Sequence, residues 1–462
     1  MPEQFDLIVL GAGSAARDAA ARASHDHGAR VALVERTRWG GSCPNVACRP
    51  TKAYLVAAEL AYMVNELSEW MGVDTGPARV DLARVRAWKD SLRRSQESWM
   101  EVLANAGYEL VPGEATFVDA KTVRVGEREL TADKILIATG SRTAVPHIPG
   151  IADIPWIDHV SALELEEIPA ALLMVGAGPV GLEFAQIFAR FGSRVTIVNH
   201  DSQIASRADT EAANELQAAL EDEGIEVILN GEVDRLARKG DRVEATLSGR
   251  TLTVSHVLLA SGRVPNIEEL GLDEIGVETE RRGIVVDEHL RTSVQGIWAA
   301  GDVVAGPQFT PVAQYQARIA VDDMFAGTVR HTNYSVMPTA IFTDPELGSV
   351  GMTEREARES GYSVDVVKHP LPALTRAQYT RTRHGLYKIV FDPQTRRVLG
   401  VHIVSRNASD IVGSLAPALE LGVTVDRLAL VHHVYPSFSE GLKAAAEKAL
   451  SPATQTAPTE AH

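Results

Sequence analysis

The sequence predicts an α/β fold of about three domains, in which two domains share one supersecondary pattern. A chain of 462 residues, with 45% hydrophobic and 23% charged residues, is long enough to bury several cores. An apolar strand, a glycine-rich turn, a helix and a second apolar strand occur in that order twice along the chain. Between the two copies, the segment "TAVPHIPG" contains the prolines and glycine that are typical of a domain boundary.

The first copy is "DLIVLGAGSAARDAAARASHDHGARVALVER". Its first apolar run ends at Gly11, Gly13 and Ala16 follow, and a second apolar run closes on Glu35, 24 residues after Gly11. Small residues let a pyrophosphate approach the backbone, and the free N–H groups at the helix start favour its charge. A carboxylate about 20 residues further along is placed to bind ribose hydroxyls. This copy therefore predicts a Rossmann-like dinucleotide site.

The second copy is "ALLMVGAGPVGLEFAQIFARFGSRVTIVNH". It carries Gly176, Gly178 and Gly181, and the corresponding strand ends at Asn199, 23 residues after Gly176. Two matching units with nearly equal spacing predict two Rossmann-like dinucleotide-binding domains. Two dinucleotides in one chain indicate electron transfer between a nicotinamide and a flavin.

Charge and hydropathy exclude several other classes. The formal net charge of -16 is unfavourable for binding nucleic acid or an anionic membrane surface. The most apolar stretches are broken by glycine, proline and charged residues, so no membrane span is predicted. The first residues lead into "FDLIVLGAG" without a basic segment followed by a cleavable apolar one. We therefore expect a cytoplasmic protein.

The only two cysteines, Cys43 and Cys48, lie close together in "GGSCPNVACRPTK". In a reducing compartment such a pair is more often catalytic or metal-binding than a structural disulfide. The following "TKAYLVAAELAYMV" predicts a helix, and a helix N-terminus lowers the pKa of nearby thiols. Arg49 adds a cation beside Cys48.

These motifs resemble, in order and over nearly the whole chain, the pyridine nucleotide–disulfide oxidoreductases, and in particular mercuric reductase and dihydrolipoamide dehydrogenase. Besides the cysteine segment and the two glycine motifs, the similar segments are "ILIATGS", "ASGRVPN", "GIWAAGDV" and "TAIFTDPELGSVGMTE". The resemblance implies that Cys43 and Cys48 form a redox-active disulfide and are not a metal site, since the histidines offer no matching second pair of ligands.

The resemblance also implies a domain organisation. An FAD-binding domain would comprise 1–149 and 267–333, interrupted by an NAD(P)-binding domain at 150–266. An α+β dimerisation domain would fill 334–450, and 451–462 would be a disordered tail. Two chains would pair as a homodimer whose active sites are shared between the chains.

By the same resemblance, Cys48 faces the flavin and Cys43 exchanges with a small oxidised substrate. Lys52 and Glu183 match positions beside the reactive flavin nitrogen, and Asp302 matches a residue that binds the ribityl chain. The expected FAD contacts are Gly11, Gly13, Ala16, Glu35, Arg36, Gly41, Ser42, Ala115, Thr139, Gly140, Gly301 and Asp302. The expected nicotinamide-nucleotide contacts are Gly176, Gly178, Gly181, Asn199, His200, Arg207, Gly262 and Arg263.

Asn199 bears on the choice between NADH and NADPH. NAD-preferring relatives carry a carboxylate at this strand end, which would repel a 2′-phosphate by up to about 4 kcal/mol at 4 Å and an effective dielectric near 20. Asn199 removes that repulsion, and His200 and Arg207 offer positive charge. NADPH is therefore expected over NADH.

The main departure from the disulfide reductases lies in "HHVYPSFSEGLK". Tyr435 stands where those relatives carry a proton-shuttling histidine, with Glu440 five residues further on. A phenol is a poor base at neutral pH, and His433 or His432 is a candidate substitute. Tyrosine at this place resembles mercuric reductase, but that enzyme has a C-terminal cysteine pair and no cysteine follows Cys48 here. The acceptor is therefore left unassigned.

Three functions remain open. The first is NAD(P)H-dependent reduction of a small thiol-reactive compound or soft metal ion through the cysteine pair. The second is reduction of quinones or similar acceptors directly from the flavin. The third is a flavin- or nucleotide-binding sensor that does not turn over, which the intact pair and the Lys52 and Glu183 positions disfavour.

Overall fold

The computed structural model describes residues 2–327 and 330–450, so the predicted tail lies outside the described residues. It confirms the mixed α/β fold class. The helices are α1 (Ser14–His27), α2 (Ser42–Val46), α3 (Cys48–Tyr62), α4 (Leu82–Ser91), α5 (Gln96–Asn105), α6 (His159–Ala162), α7 (Pro179–Arg190), α8 (Thr210–Asp222), α9 (Leu272–Ile275), α10 (Thr310–Ala326), α11 (Glu354–Glu359), α12 (Thr375–Tyr379), α13 (Ala408–Glu420), α14 (Val425–Leu430) and α15 (Glu440–Lys448).

The strands follow the same chain order. They are β1 (Glu3–Gln4), β2 (Leu7–Leu10), β3 (Val31–Glu35), β4 (Glu109–Pro112), β5 (Ala115–Asp119), β6 (Thr122–Val125), β7 (Arg128–Thr131), β8 (Ile135–Ile137), β9 (Ser141–Thr143), β10 (Ala171–Val175), β11 (Arg194–Val198), β12 (Glu226–Ile228), β13 (Val233–Lys239), β14 (Arg242–Leu247), β15 (Arg250–Val254), β16 (His256–Leu259), β17 (Arg263–Pro265), β18 (Thr279–Glu280), β19 (Gly283–Ile284), β20 (Ile297–Ala299), β21 (Thr339–Ile341), β22 (Glu346–Gly351), β23 (Asp365–Pro370), β24 (Leu386–Phe391) and β25 (Val398–Ser405).

The described residues divide into two compact units. The first unit is drawn from 1–51, 86–144 and 262–332, and the second from 52–85, 145–261 and 333–462. Helix α3 contributes its first residues to the first unit and the remainder to the second. The three domain boundaries derived from the sequence remain a prediction.

The first unit is built on a five-stranded parallel sheet of order β20-β8-β2-β3-β4. All four residues of β2, "LIVL", are buried, as expected for a strand covered on both faces. Strands β3 and β4 lie on one side of β2 in the sheet, and strands β8 and β20 lie on its other side. The strand order therefore reverses between β2 and β8, and the carboxyl ends of strands at such a point form a ligand-binding crevice.

Helix α1 packs closely against helix α10 in the first unit. Its buried face consists of alanines, which allow close approach, and Ala317 and Ala320 of α10 belong to the same core. Arg22 Nε donates to Asp322 Oδ1 over 2.6 Å across this helix pair. This hydrogen bond links the middle of α1 to α10.

The second unit contains the second parallel sheet, of order β12-β11-β10-β16. Strand β10 is followed by α7 and β11 on one side, and β16 pairs on its other side. Helix α7 buries Phe184 and Phe188 in the same core as Met174 of β10. The order reverses between β10 and β16, so this sheet repeats the arrangement of the first.

The second unit also holds a five-stranded antiparallel sheet of order β21-β22-β25-β24-β23. Every residue of β25 is buried. Helices α13, α14 and α15 share a core with this sheet, in which Tyr387, Ile403 and Leu442 lie together. The described residues contain no helix long and apolar enough to cross a membrane.

Candidate functional site

The turn after β2 forms the first dinucleotide cradle. Gly11 has φ +114°, and a Cβ there would lie 2.4 Å from the carbonyl oxygen of Ala138 at the end of β8. Helix α1 follows with Gly13 as its N-cap, and no side chain among the described residues caps it. A Cβ on Gly13 would meet no described heavy atom within 4 Å. The open space and free N–H donors fit a pyrophosphate, as FAD requires.

Glu35 closes the other side of this crevice. Its Oε2 accepts from Ala12 N at 2.9 Å, and its Oε1 accepts from Thr37 N at 2.8 Å and Arg38 N at 3.0 Å. The carboxylate is thus fixed at the end of β3, in the place expected for a ribose-binding group. Arg36 points to Glu114 instead.

A polar cluster that joins distant segments lies in the same unit. Ser141 Oγ donates to Asp302 Oδ2 at 2.7 Å, and Arg263 Nε donates to Ser141 Oγ at 2.7 Å. Arg263 Nε also lies 3.4 Å from Asp302 Oδ2. Sequence reasoning named Arg263 and Asp302 separately and missed Ser141, which stands at the end of the quoted "ILIATGS".

Other predicted FAD contacts fall in the same unit. Thr139 Oγ1 donates to Asn266 O at 2.7 Å beside Gly140, and Gly301 N donates to Gln316 Oε1 at 2.7 Å. Ala16 is buried on α1, and Ala115 is buried at the start of β5. Their contacts with FAD remain predictions.

The turn after β10 repeats the cradle in the second unit. Gly176 has φ +107°, and a Cβ there would lie 2.5 Å from the carbonyl oxygen of Ala260, after β16. Gly178 is the N-cap of α7 and faces open space among the described residues, while Gly181 packs against the carbonyl of Gly176. The cradle therefore fits a second pyrophosphate.

Asn199 occupies the position equivalent to Glu35. Its Oδ1 accepts from Ala177 N at 3.3 Å, and its Nδ2 donates to Gln203 O at 3.0 Å. The residue is only 6% exposed, so the amide holds the loop that follows β11. His200 and Arg207 lie on that loop and are exposed, and His200 Nε2 is 3.1 Å from Asp201 Oδ1.

The two cysteines lie on two consecutive helices, at positions that belong to the first unit. Cys43 is on α2 and Cys48 is the first residue of α3, and both side chains are partly buried. Cys48 Sγ is 3.6 Å from Thr310 Oγ1 at the start of α10. The buried Asn45 fixes the segment by donating to Trp39 O at 2.9 Å and Gly41 O at 2.7 Å.

Lys52 and Glu183 are brought together in the second unit, as their joint prediction requires. Lys52 Nζ donates to Glu183 Oε1 and Oε2 at 2.8 and 2.7 Å. Phe342 N donates to Glu183 Oε1 at 3.1 Å, and Lys52 Nζ lies 4.4 Å from the centroid of the Phe342 ring. Phe342 was not foreseen from the sequence, because it lies 159 residues from Glu183.

Near the C-terminus the structure separates the predicted residues. Tyr435 is 70% exposed, and its hydroxyl donates to Thr375 Oγ1 at 3.4 Å. His433 is instead linked to Glu440 through serines: Nδ1 lies 3.0 Å from Ser439 Oγ, which lies 2.9 Å from Ser437 Oγ. Ser437 N donates to Glu440 Oε2 at 2.8 Å.

The protonation of His433 follows from its surroundings. Burial lowers the pKa of His433, and the ammonium of Lys443 lowers it further, while Glu440 acts in the opposite direction. A neutral imidazole with a buried Nε2 is a proton acceptor at neutral pH. The structure therefore links His433, and not Tyr435, to Glu440 through hydrogen bonds.

The chain matches two family descriptions. Residues 5–317 match "Pyridine nucleotide-disulphide oxidoreductase", and residues 337–446 match the dimerisation domain of the same name.

Named relatives extend over almost the whole chain. It is 36% identical over 451 residues to a mercuric reductase of Lysinibacillus sphaericus, covering 96% of this chain and 82% of the relative. It is 35% identical over 458 residues to a dihydrolipoyl dehydrogenase of Geobacillus stearothermophilus, covering 97% and 96%. Among solved structures, the Cu(II) complex of the HOCl-induced flavoprotein disulfide reductase RclA from Escherichia coli matches with a TM-score of 0.86 and 31% identity, covering 97% of this chain and 100% of that one.

Proposed function

Because the chain belongs to the pyridine nucleotide–disulphide oxidoreductases, a family of FAD-containing enzymes, we propose that it passes electrons from a nicotinamide nucleotide to a disulfide between Cys43 and Cys48. The reduced pair then transfers them to a small thiol-reactive acceptor or a soft metal ion. One observation carries the proposal: a Cβ on Gly41 would lie 2.4 Å from Gly13 Cα. The cysteine segment thus lies directly against the turn that forms the first dinucleotide cradle.

The residues that would hold FAD have complementary tasks. Gly11, Gly13 and the first N–H groups of α1 would bind the pyrophosphate, Glu35 the ribose, and Asp302 the ribityl chain. When bound, FAD would supply the two-electron chemistry that links a nicotinamide to a disulfide. Arg263 and Ser141 orient the Asp302 carboxylate through their hydrogen bonds.

The chain's own residues account for the proton and thiol steps. Reduction of the disulfide consumes two electrons and two protons and yields two thiols. The position of Cys48 at the start of the 15-residue helix α3 favours its thiolate through the helix dipole. Lys52, held by Glu183, keeps the role that the family resemblance implies, a fixed positive charge for the reduced flavin. His433 with Glu440 serves as proton acceptor.

Two named relatives support a metal ion among the acceptors. A mercuric reductase matches over 96% of this chain, and the RclA structure was solved as a Cu(II) complex. We propose Hg(II) and Cu(II) ions as acceptors, with quinones as the alternative that bypasses the cysteines. The Cys48→Ser variant distinguishes them, because it abolishes reduction through the disulfide and leaves direct reduction from the flavin.

Anaerobic thiol titration tests the proposal directly. The FAD-loaded protein should gain two titratable thiols per chain when NADPH is added, and Cys48→Ser should gain none. If the native chain gains no thiols, the proposed electron path is wrong. A panel of Hg(II), Cu(II), lipoamide and quinones then identifies the acceptor.

We further propose NADPH as the preferred donor. The Asn199 amide carries no charge where a carboxylate would repel a 2′-phosphate, and His200 and Arg207 are exposed on the same loop. The variant Asn199→Asp keeps the acceptor for Ala177 N but restores the negative charge. It should shift the ratio of kcat/KM for NADPH over NADH toward NADH by at least about tenfold, in line with a repulsion of more than about 1.4 kcal/mol. A higher kcat/KM with NADH in the native enzyme would contradict this preference.

We also propose that two chains pair and share their active sites. Residues 337–446 match the family's dimerisation domain, and the segment before α15 exposes Leu430, Val431, Val434 and Tyr435, an apolar surface typical of an interface. Pairing would bring His433 and Glu440 to the cysteines of the other chain. A molar mass of a single chain in solution would contradict this arrangement.

A further inference from the structure

Arg17 is a partly buried cation that packs on an aromatic ring. It lies in the first turns of α1 with its Cζ 4.9 Å from the ring centroid of Trp99 on α5. Its Nε is buried and has no hydrogen-bond partner among the described residues. The adjacent Asp18 accepts from Arg318 Nε at 2.8 Å. A partly buried guanidinium stabilises an anion that forms close to it.

The segment that leads into Cys43 passes close to Arg17. A Cβ on Gly40 would lie 2.5 Å from Trp99 Cε2, and a Cβ on Gly41 would lie 2.4 Å from Gly13 Cα. Arg17 is one helical turn beyond Gly13, because Arg17 N donates to Gly13 O at 2.9 Å. The chain therefore passes over the ring that Arg17 stacks on and over the start of the helix that carries Arg17, immediately before Cys43.

Cys43 and Arg17 are within electrostatic reach of each other. Burial lowers the pKa of the Arg17 guanidinium, while the negative charges of Cys43 and Asp18 act in the opposite direction. Cys48 has a different neighbour, the hydroxyl of Thr310. The two thiols thus lie in different electrostatic surroundings within one unit.

From this arrangement we propose that the guanidinium of Arg17 stabilises the thiolate of Cys43 and thereby raises the reactivity of this sulfur in the reduced pair. The proposal rests on the proposed function, in which the reduced pair attacks the acceptor. When Cys43 loses its proton to solvent, the negative sulfur offsets the buried positive charge. The thiolate is the attacking form, so its population at neutral pH sets the rate of exchange. Arg17 acts on the reacting sulfur through its charge.

Two other charged residues, Arg94 and Asp18, adjoin this arrangement. Arg94 lies against the same Trp99 ring, with its Cζ 5.6 Å from the centroid. Asp18 is held by Arg318. Arg94 offers a matched control, since it is the same residue type on the same ring and precedes α5 rather than belonging to α1.

The chain permits a clean measurement because it has only two cysteines. In FAD-loaded Cys48→Ser protein, Cys43 is the single thiol, and its alkylation by iodoacetamide between pH 5 and 10 gives its pKa without any turnover. Adding Arg17→Met should raise that pKa and slow alkylation at pH 7 by about tenfold, equivalent to one pKa unit. Arg17→Lys, which keeps the charge, should stay within about threefold of the parent, and Arg94→Met within about twofold.

The outcomes separate this inference from the proposed function. If Arg17→Met leaves the alkylation profile unchanged, or if Arg94→Met moves it as far, the role of Arg17 is overturned. Flavin content and the thermal midpoint report whether each variant is folded, and Arg17→Gln repeats the test should the methionine variant not fold. A native chain that gains no thiols on reduction would refute the electron path while leaving the Cys43 measurement intact.

Discussion

Glu183 is a carboxylate with 5% exposure that accepts from three donors, two of them on the ammonium of Lys52 and one on the backbone of Phe342. A buried charge of this kind persists only when its partners remain. Lys52 is more exposed, with 34% of its side chain open to solvent. Burial of the Glu183 carboxylate is costly to stability, whereas the Lys52 ammonium carries the charge proposed for function. Substitution can therefore separate the effect of the pair on stability from its effect on activity.

We expect Lys52→Met to lower both stability and activity. It leaves the Glu183 carboxylate without its counterion, at a cost of about 2 kcal/mol, and removes the charge proposed for the reduced flavin. The double variant Lys52→Met/Glu183→Gln should recover the thermal midpoint, because the amide still accepts from Phe342 N. Its rate of flavin reduction by NADPH should remain at least about tenfold below the native rate. Recovery of both properties together would show that the pair is structural only.

Among the elements, the junction of β24, α8 and α11 in the second unit is held by one buried ammonium. Lys388 Nζ on β24 lies 3.0 Å from Asp209 Oδ2, 2.8 Å from Glu211 Oε2 and 2.7 Å from Glu354 Oε2, and Lys388 is 2% exposed. Asp209 is also the N-cap of α8, the helix that follows the Asn199 loop. Burial alone would lower the pKa of Lys388. Its hydrogen bonds to the three carboxylates act in the opposite direction and outweigh burial, so the pKa is raised.

Replacing Lys388 by methionine should destabilise the protein by about 3 kcal/mol, because the buried Asp209 carboxylate loses its cation. The matched control is Lys368→Met. Lys368 Nζ also contacts Glu211, at 2.5 Å, but 44% of its side chain is exposed, and exposed pairs contribute less than about 1 kcal/mol. Urea unfolding of both variants measures the difference. Equal losses would show that burial does not set the strength of these ion pairs.

The elements also show what sequence patterns can predict. The turns at Gly11 and Gly176 follow from residues within a few positions of one another. The same holds for the helix after the cysteine pair, which was predicted from Thr51 and begins at Cys48 in the structure. At the two turns, small residues are needed where the pyrophosphate approaches the backbone and where the helix packs against the strand, and this fixes their spacing. Their prediction therefore needed no knowledge of tertiary packing.

Contacts between distant segments were beyond such reasoning. Ser141 meets Asp302 over 161 residues, and Trp99 reaches Arg17 from another helix. Nothing local in "SLRRSQESWM" marks Trp99 as the ring under a buried arginine. Asn199 lies between these two cases. Its position at the end of the strand was predicted from the sequence, but its hydrogen bond to Gln203 depends on the path of the loop that follows.

For the molecule as a whole, buried neutral histidines make stability depend on pH above the range where carboxylates titrate. His402 on β25 is fully buried; its Nδ1 lies 3.0 Å from Ser349 Oγ and its Nε2 lies 3.0 Å from Met352 O. Burial lowers the pKa of His402, with Lys388 acting in the same direction, while Asp209, the Met352 carbonyl and Glu356 oppose it. As the pH falls through the reference histidine pKa of about 6.5, the unfolded chain therefore binds a proton that the folded chain binds only at a lower pH.

Because the unfolded chain binds this proton more strongly, the protein should lose stability as the pH falls from about 7 to 5. One proton bound only by the unfolded state lowers the free energy of unfolding by up to about 1.4 kcal/mol per pH unit. His402→Gln removes that proton, so its stability should change less between pH 7 and 5 than that of the native protein, whatever its absolute stability. His147→Gln is the control, because the His147 side chain is exposed and its replacement should leave the slope unchanged. Thermal midpoints at pH 5, 6 and 7 measure the slopes, and parallel profiles for the native protein and His402→Gln would assign the pH dependence to other groups.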